Sequence, residues 1–497
     1  MSDLKIYNSY TREKEVFEPI TPGHVGLYVC GPTVSGESHL GHARPYVTFD
    51  VVNRYLQHLG YKVRYVRNIT DAGHFEEEGR EAVDKVSEKA KLEQLEPMEL
   101  VQKYTNLYHW AMLQFNCLEP SIEPTATGHI IEQISMIQKI IAEGYAYEVN
   151  GSVYFDVQKY AAAYPYGKLS GRVIEDLLET TRDLDGQDEK RNKTDFALWK
   201  KAPPEHIMRW ESPWGEGFPG WHIECSAMSS KYLGQQFDIH GGGMDLQFPH
   251  HESEIAQSTI AHGCAPAKYW MHNNMITING KKMGKSYNNV IKLTELFSGN
   301  HPLLEQAYHP MVIRFNILQT HYRSTLDFSN AALQASEKAF RRLWEAYESL
   351  QGLESSAEHA ADEELDKKVV DFCQSCAEDM NDDFNTAKVL ANLFELAPII
   401  NSIKGGQIAA NALSQETLNL MKSTFQTYLV DIFGMKAMTA ESNNDKLSAA
   451  MQLIIDIRKE ARLRKDFATS DKIRDDLAQA GIQIKDGKDG VTTWSEM

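Results

Sequence analysis

Two apolar runs near the start of the chain predict buried strands. They are residues 25–30, VGLYVC, and residues 61–69, YKVRYVRNI. Between them, from about His42 to Gly60, apolar residues recur every three or four positions, as they do on one face of a helix. A strand, a helix and a second strand in this order predict a βαβ unit, and therefore a parallel sheet.

Later segments add further helices and strands. Residues 165–218 are polar and predict loops, whereas Asn279-Gly280 predicts a two-residue turn inside a hairpin at 274–286. The other expected elements are helices at 76–105, 130–142 and 249–262 and strands at 151–157 and 235–243.

After residue 325 the chain becomes rich in Ala, Leu, Glu, Gln and Lys at helical spacing, which predicts a helix bundle. We therefore expect an α/β fold in which a parallel-sheet domain precedes this bundle and a small α+β unit follows it. The expected boundaries are 1–325, with an inserted module at about 120–218 and a loop-bearing region at about 265–325, then 326–440 and 441–497.

Charge and composition narrow the class of protein. The formal net charge of −18 over 497 residues argues, taken alone, against a nucleic-acid partner. The locally basic stretch 457–474 favours a solvated helix face. We find no apolar run long enough to span a membrane, and the start lacks the apolar core of a signal peptide. Six cysteines in so long a chain indicate reduced thiols, so a cytoplasmic location is expected.

The tetrapeptide HLGH, His39 to His42, stands where the first predicted strand gives way to the helix. A helix N-terminus presents free N–H groups and a positive dipole end to a phosphate. Gly41 allows close approach of the backbone, and both histidines can donate hydrogen bonds to a phosphoryl group. By itself, however, the tetrapeptide is more typical of two surface histidines near a helix cap.

The segment KKMGKS, residues 281–286, nearly matches a phosphate-binding P-loop, G-x-x-x-x-G-K-[ST]. Gly280 lies one position too close to Gly284, and a hairpin precedes the segment, so we reject a P-loop. Lys282 and Lys285 remain as cations on a glycine-containing loop, which suits a triphosphate and its leaving pyrophosphate. An exposed basic turn is the alternative.

Two further clusters carry candidate chemistry. In HGGGMD, residues 240–245, the glycines allow adenosine to lie against the backbone and the aspartate can accept from ribose hydroxyls, although a tight turn is the alternative. Four residue types that zinc prefers occur on one strand end, one expected loop and one helix turn. Spacing cannot prove that these four converge, and each has an ordinary core or surface explanation. The four are Cys30, Cys225, His250 and Glu254.

Together the HLGH and KMGKS segments resemble the His-Ile-Gly-His and Lys-Met-Ser-Lys-Ser signatures of class I aminoacyl-tRNA synthetases. Leu40 replaces Ile and Gly284 replaces the first Ser, and neither change removes a phosphate contact. From LYVCGPTV through NITD and YGKLS to KDFATSDKIRDDLAQAGIQIKDGKDG, nearly the whole chain is similar to the cysteinyl-tRNA synthetase family. The resemblance implies a Rossmann-like catalytic domain.

The resemblance implies a ligase that activates L-cysteine with ATP and transfers it to tRNA(Cys), with Mg²⁺ on the ATP. It implies one Zn²⁺ per chain, held by Cys30, Cys225, His250 and Glu254, that binds the sulfur of the substrate. Serine is nearly isosteric with cysteine, and zinc prefers a thiolate to a hydroxyl. Selection at the binding step is therefore expected, without an editing domain.

The resemblance also implies roles for neighbouring residues. The implied catalytic residues are His39, His42, Lys282 and Lys285. The implied ATP contacts are these four together with Gly41, Gly242, Gly243 and Asp245. The implied amino-acid pocket consists of Cys30, Gly31, Thr70, Trp221 and His240. His222 and His251 receive no role, and we interpret them as structural.

For the tRNA, the resemblance implies docking on the helical bundle and anticodon reading by the C-terminal unit. Its basic side chains would meet phosphates and Trp494 would stack on a base. The implied contacts are Arg458, Arg462, Arg464, Lys465 and Trp494. The acidic stretch at 73–83 is longer than in the family, and we expect Asp84-Lys85 to resume its pattern. A monomer with no membrane partner is expected.

Two other functions stay open at this point. An enzyme of this kind could transfer cysteine to an amino sugar, although the basic terminal segment argues against that. A non-catalytic tRNA-binding or zinc-binding paralogue is the other alternative, against which the intact motifs argue. Cys373-x-x-Cys376 has the spacing of a redox pair or half a zinc site, but we expect a buried face of a bundle helix.

Overall fold

A computed structural model describes most of the chain, in two compact units, Met1–Lys436 and Ala437–Met497. Within these units, the structure describes residues 3–72, 96–172, 189–204, 206–284, 287–355, 359–438, 442–464, 466–479, 482–486 and 492–496. In those ranges there is no helix long and apolar enough to cross a membrane.

A four-stranded, all-parallel sheet forms the centre of the first unit. Its order is Ala267–Asn273, Phe237–Gly243, His24–Val29 and Lys62–Arg67. The chain leaves His24–Val29 toward one side of the sheet and returns beyond the insertion on the other side. The two middle strands therefore flank a topological switch point, and the crevice at their carboxyl ends is where such sheets bind ligands.

Three helices connect or cover these strands. Leu40–His58 links the first two strands and confirms the predicted βαβ unit, although it begins two residues before the expected His42. Trp221–Leu233 precedes the third strand, and His250–His262 joins the third to the fourth, close to its expected bounds. Apolar side chains of the sheet, including Leu27, are fully buried.

The inserted module contains an antiparallel sheet of four strands, in the order Ala146–Val149, Ser152–Phe155, Phe196–Lys201 and Gly217–Pro219. The last two strands correct the expectation that 165–218 consists of loops. Phe196 and Leu198 are buried in a core with Ile137, and Phe196 stacks on Phe155. Those contacts come from the packing of the module, which local polarity does not reveal.

A small sheet carries the predicted hairpin. Ile276–Ile278 pairs with Lys281–Lys282 around Asn279-Gly280, and both turn residues have the positive φ that this turn type needs. Strands Lys5–Asn8 and Glu13–Val16 form a separate antiparallel pair. Other elements before residue 329 are strand Leu326–Phe328 and helices Pro97–Gln114, Ile130–Ala142, Val157–Ala163, Leu293–Ser298 and Pro310–Leu318.

The predicted helical region follows, in the same compact unit. Cys373 and Cys376 lie on the buried side of one of its helices, as expected, and are separate thiols. The helices are Asn330–Gln351, Glu363–Asn381, Thr386–Lys404 and Gln415–Phe425, which continues as a π-helical segment, Gln426–Ile432. The second unit contains helices Ser442–Leu463 and Phe467–Gln479 and an antiparallel pair, Ile482–Asp486 with Thr492–Glu496.

A buried arginine joins the end of this helical region to helix Leu40–His58. Arg314 donates to the carbonyls of Phe433 and Phe115 and to the carboxylate of Asp50, which lies on Leu40–His58. Both charged side chains are almost completely buried. Removing the arginine alone leaves two buried carbonyls unsatisfied. It also removes one of the two cations paired with Asp50, because Arg54 Nε stays 2.8 Å from the same carboxylate oxygen. The loss is therefore destabilising.

We expect Arg314→Leu to lower the free energy of unfolding by about 3 kcal/mol. Arg341→Leu is the control, because Arg341 makes an exposed pair with Glu337 and such pairs contribute about 0–1 kcal/mol. Denaturant midpoints of both variants check this. Equal midpoints would mean that Arg314 is not a structural joint.

Candidate functional site

Four side chains that zinc prefers meet at the carboxyl edge of the central sheet. Cys30 follows strand His24–Val29, and Cys225 lies on helix Trp221–Leu233 rather than in the expected loop. His250 and Glu254 share a face of helix His250–His262. All four are buried, and their ligand atoms lie within 4.8 Å of one another. The structure thus brings together the predicted set from three separate elements.

The donor spacing fits a tetrahedral ion. The two Sγ atoms of Cys30 and Cys225 are 3.9 Å apart, and Cys30 Sγ is 3.8 Å from Glu254 Oε1. His250 Nε2 lies 3.2 Å from the same carboxylate oxygen. Zinc bonds to sulfur, nitrogen and oxygen imply ligand separations of roughly 3.3–3.8 Å. The residues present therefore fit a zinc ion.

A second combination of ligands includes His251, which the sequence analysis interprets as structural. Its Nε2 is 3.3 Å from Cys30 Sγ. The ligand atoms of Cys30, His240, His251 and Glu254 also lie within 4.8 Å of one another. The sequence signal was the pair of consecutive histidines, since both lie within one helical turn of Glu254. The choice between the two sets depends on side-chain orientation, which sequence spacing does not encode.

Histidine contacts orient both possible sets of ligands. His222 Nδ1 lies 3.0 Å from His250 Nδ1, which leaves His250 Nε2 facing Glu254. His251 Nδ1 lies 2.8 Å from His272 Nε2, and His272 Nδ1 lies 2.9 Å from Ser9 Oγ. Hydrogen bonds of this kind fix the ring orientation of metal-ligating histidines. The contact of His272 with His251 was not predicted from the sequence.

The electrostatics of the cluster favour a bound cation. Burial raises the pKa of the Cys30 thiol well above its usual value, and contact with Cys225 and Glu254 adds to this effect. Burial lowers the pKa of His250 and of His251 well below the usual value for histidine. A divalent cation reverses the penalty for thiolate formation, because it stabilises the negative sulfur directly.

Next to the thiols, a buried amide connects the pocket walls. Asn68 Oδ1 accepts from the Gly31 N–H at 2.9 Å and lies 3.7 Å from Cys225 Sγ, while its Nδ2 donates to Thr70 Oγ1 at 3.1 Å. Thr70 in turn donates to the buried Glu224 at 3.0 Å. A Cβ on Gly31 would overlap the Asn68 carbonyl, so glycine is required here. The roles of Asn68 and Glu224 in the pocket wall were not predicted from the sequence.

Two aromatic residues border this pocket. The Trp221 ring lies 4.3 Å from the His250 ring, measured between centroids, and is partly exposed. His240 is fully buried, stacks on Trp270 and places Nε2 at 2.9 Å from Glu254 Oε2. Both predicted pocket residues therefore adjoin the ligand cluster, and His240 contacts it directly.

The HLGH histidines form a stacked pair at the start of helix Leu40–His58, with ring centroids 4.0 Å apart. His42 Nδ1 accepts from the His39 backbone N–H at 3.1 Å, so the neutral ring carries its proton at Nε2. Burial lowers the pKa of His42 to about 3, and the neighbouring His39 adds to the shift. His42 therefore offers a neutral N–H donor.

The loop that carries the KKMGKS segment, called here the signature loop, approaches this pair through its described residues. The methyl group of Met283 lies over Gly41, where an added Cβ would come within 2.7 Å of it. Lys282 ends its hairpin strand with an exposed side chain. Lys285 lies outside the described residues, as do the 73–83 stretch and Asp84-Lys85.

The glycine run forms the other wall of the crevice. Strand Phe237–Gly243 ends in three glycines, and a Cβ on Gly241 or Gly242 would collide with the rings of Phe49 or His251. Asp245 is exposed in the short helical turn that follows. Gly242, Gly243 and Asp245 therefore lie at the switch-point edge, beside the strand that leads to Cys30.

The predicted RNA-binding residues differ in accessibility within the second unit. Arg458 is only 7 % exposed, so its guanidinium is shielded from an RNA phosphate, contrary to the expectation. Arg462 and Arg464 are exposed, and Arg464 pairs with Glu460 at 3.1 Å. Trp494 is partly exposed and lies opposite Ile484 in the terminal strand pair. Lys465 lies outside the described residues.

Comparisons with known proteins show which family the chain resembles. The family model described as "tRNA synthetases class I (C) catalytic domain" matches residues 16–338, and the model "DALR domain" matches residues 376–437. The chain is 59% identical to the cysteine–tRNA ligase of Bacteroides thetaiotaomicron and 57% identical to that of Porphyromonas gingivalis, over 98% of every chain. The Chlorobaculum tepidum cysteine–tRNA ligase is 49% identical, over 100% of this chain and 99% of its own.

Solved structures share the fold at low sequence identity. Mycobacterium tuberculosis methionyl-tRNA synthetase in complex with methionyl-adenylate aligns with a TM-score of 0.56 and 12% identity, over 82% of this chain and 89% of that one. The Agrobacterium radiobacter K84 agnB2 LeuRS in its ternary complex with tRNA and LeuAMS gives 0.57 and 11%, over 84% and 85%. These similarities support the Rossmann-like fold alone.

Replacing one thiol ligand tests the metal site. We expect Cys225→Ser to reduce the zinc retained after dialysis to less than about a third of the wild-type content, because a serine hydroxyl remains protonated and binds zinc poorly. Cys264→Ser is the control, since Cys264 lies outside the cluster. Zinc is measured by elemental analysis, and unchanged content in Cys225→Ser would exclude Cys225 as a ligand and with it the set that contains His250.

The two ligand sets make different predictions for the consecutive histidines. If Cys225 and His250 complete the site, His250→Asn loses zinc and His251→Asn keeps most of it. The reverse result would favour the set with His240 and His251.

The lowered pKa of His42 predicts a dependence of stability on pH. When the pH falls from about 6.5 toward 3, the unfolded chain takes up a proton that the folded ring excludes, so the native state loses stability. We expect His42→Gln to reduce the drop in thermal midpoint between pH 7 and 4.5 by roughly 1–3 °C. The exposed His24→Gln is the control, and identical drops would contradict a neutral His42 in the folded protein.

Proposed function

The chain belongs to the cysteine–tRNA ligase family of class I synthetases, and from this premise we propose how its own residues select and activate cysteine. The enzyme is an aminoacyl-tRNA synthetase that uses ATP to join cysteine to tRNA. The observation that carries the proposal is the convergence of Cys30, Cys225, His250 and Glu254 beside the HLGH helix start.

For amino-acid recognition we assign one Zn²⁺ per chain to Cys30, Cys225, His250 and Glu254. A zinc ion bound there supplies a bond to the substrate sulfur that a serine hydroxyl cannot match. Because discrimination occurs at binding, a separate hydrolytic step against serine is unnecessary. The rest of the pocket then has only to hold a small side chain and orient the amino acid.

The pocket walls orient the carboxylate. Gly31 offers its close-packed backbone, and Thr70 is held by Asn68 and Glu224. Trp221 covers the side chain beside His250, and His240 adjoins the polar groups. With these contacts the cysteine carboxylate faces the crevice where the α-phosphate of ATP lies.

In the first step an oxygen of the cysteine carboxylate attacks the α-phosphorus, and the bond to pyrophosphate breaks. Gly41, Gly242, Gly243 and Asp245 hold the adenosine, while Mg²⁺ accompanies the phosphates of ATP. The Nε2–H of His42, with His39 beside it, donates to the phosphoryl oxygens as charge develops. Lys282 and Lys285 neutralise the departing pyrophosphate.

In the second step a hydroxyl of the terminal tRNA ribose attacks the carbonyl carbon of the adenylate, and AMP leaves. The DALR region and the terminal unit bind the tRNA, with Arg462, Arg464, Lys465 and Trp494 as proposed contacts. We propose that the enzyme acts as a monomer in the cytoplasm, where tRNA is charged.

Full-length relatives named cysteine–tRNA ligase favour transfer to tRNA over transfer to an amino sugar or a non-catalytic role. The direct test supplies the enzyme with ATP, labelled cysteine and either tRNA or glucosaminyl-inositol. Label in the tRNA alone is expected, and label in the amino sugar would overturn the assignment.

The loop cations give a further prediction. We expect Lys285→Ala and Lys282→Ala each to lower cysteine-dependent ATP–pyrophosphate exchange by about 100-fold or more, because charge stabilisation of the leaving group is lost. Lys281→Ala is the control, since Lys281 is equally exposed on the same strand. Near-normal exchange in the first two variants would refute their role.

A further inference from the structure

A buried amide, Asn289, closes the signature loop. Its Oδ1 accepts from the Gly284 backbone N–H at 2.9 Å, and its Nδ2 donates to the Lys282 carbonyl at 3.0 Å. The side chain therefore spans Met283 and fixes the backbone on both sides of it. Asn289 is 7 % exposed, although its neighbours Tyr287 and Asn288 are exposed.

Both flanks of the loop are anchored to the rest of the site. On the entry side, Lys282 is registered against Thr277 in the hairpin. On the exit side, the Leu40 N–H donates to the Ile291 carbonyl at 3.0 Å, and the Leu293 N–H donates to the Ser38 carbonyl at 2.9 Å. The segment that follows the loop is thus bonded directly to the HLGH segment and to the residue before it.

Asn289 links these two flanks. It lies two residues before Ile291, and its amide bonds the backbone at the start of the loop. The bonds fix the direction in which the chain leaves Lys282, and with it the position of Met283 over Gly41. Lys285 follows Gly284, the residue whose N–H the amide holds. Through Asn289, the position of the backbone at Lys282 is linked to the HLGH helix start.

We propose that Asn289 is a positioning residue for adenylate formation, which aligns Lys282 with the triphosphate; this rests on the proposed function of Lys282. The task needs one donor and one acceptor on the same rigid group, and the amide of Asn289 provides both. An aligned loop reduces the motion that must be lost when the transition state forms. Gly284 has no side chain to supply such bonds.

The near-isosteric Asn289→Asp variant tests the proposal. It keeps an acceptor for Gly284 but replaces the donor to the Lys282 carbonyl by a second oxygen. We expect kcat for cysteine-dependent ATP–pyrophosphate exchange to fall about 10- to 100-fold, with KM for cysteine within about twofold. Asn289→Ala should behave in the same way.

Transfer from preformed cysteinyl-adenylate to tRNA separates positioning from general damage. Pyrophosphate is absent from that step, so we expect its single-turnover rate in Asn289→Asp to stay within about twofold of wild type. The matched control is Asn288→Gly, because Asn288 has a φ of 50°, which glycine adopts readily, and we expect normal exchange.

Unchanged exchange in Asn289→Asp would overturn the proposal, and so would a proportional loss of exchange and transfer, which indicates a merely structural role. If Lys282→Ala abolishes exchange while Asn289→Asp does not, only the role of Asn289 fails. If Lys282→Ala and Lys285→Ala also leave exchange unchanged, the proposed function of the loop cations fails with it.

Discussion

The structure depends on keeping two thiols, an imidazole and a carboxylate together in a place without water. Burial opposes every charge in such a cluster, as the raised pKa of Cys30 and the lowered pKa of His250 indicate. The protein holds these groups together with rigid elements: a strand end and two helices. In the proposed site, a zinc ion would offset this electrostatic cost and bind a further thiolate, so the elements that bring the ligands together would also define the substrate.

The parallel sheet explains why this cluster lies beside the nucleotide crevice. Strand His24–Val29 leads to Cys30 and then to the HLGH helix start, while Phe237–Gly243 leads to the glycine run and then to His250. Each of the two middle strands therefore supplies one part of the sulfur site and one part of the proposed ATP site. In the proposed mechanism, this single switch point would align the amino acid with the phosphate that it attacks.

Local patterns in the sequence predicted much of this arrangement. Helical periodicity gave Ile130–Ala142, and the Asn279-Gly280 pair gave its hairpin, because both signals are local. Residue types and a family resemblance predicted one candidate ligand set, and the structure brings its four residues together. Strand Phe196–Lys201 was missed because it is defined by partners in the inserted module.

Side-chain bonds to distant backbone escaped prediction for a related reason. Asn68 and Asn289 bind backbone groups that approach only in the folded chain, and an asparagine in sequence predicts a turn or a cap equally well. His251 was interpreted as structural because the family resemblance gives it no role, yet its Nε2 lies 3.3 Å from Cys30 Sγ. Tertiary orientation, which sequence spacing does not contain, distinguishes such residues.

The sheet order also has a consequence for synthesis on the ribosome. Strand His24–Val29 lies between Lys62–Arg67 and Phe237–Gly243, so one of its edges has no partner until translation passes residue 243. The joint at Arg314 closes later still, when Phe433 emerges. Such distant pairings are slow to form and leave strand edges open during elongation. The nascent chain thus completes the central sheet only after residue 243, and the Arg314 joint forms only near the end of its own translation, the process that its product supplies.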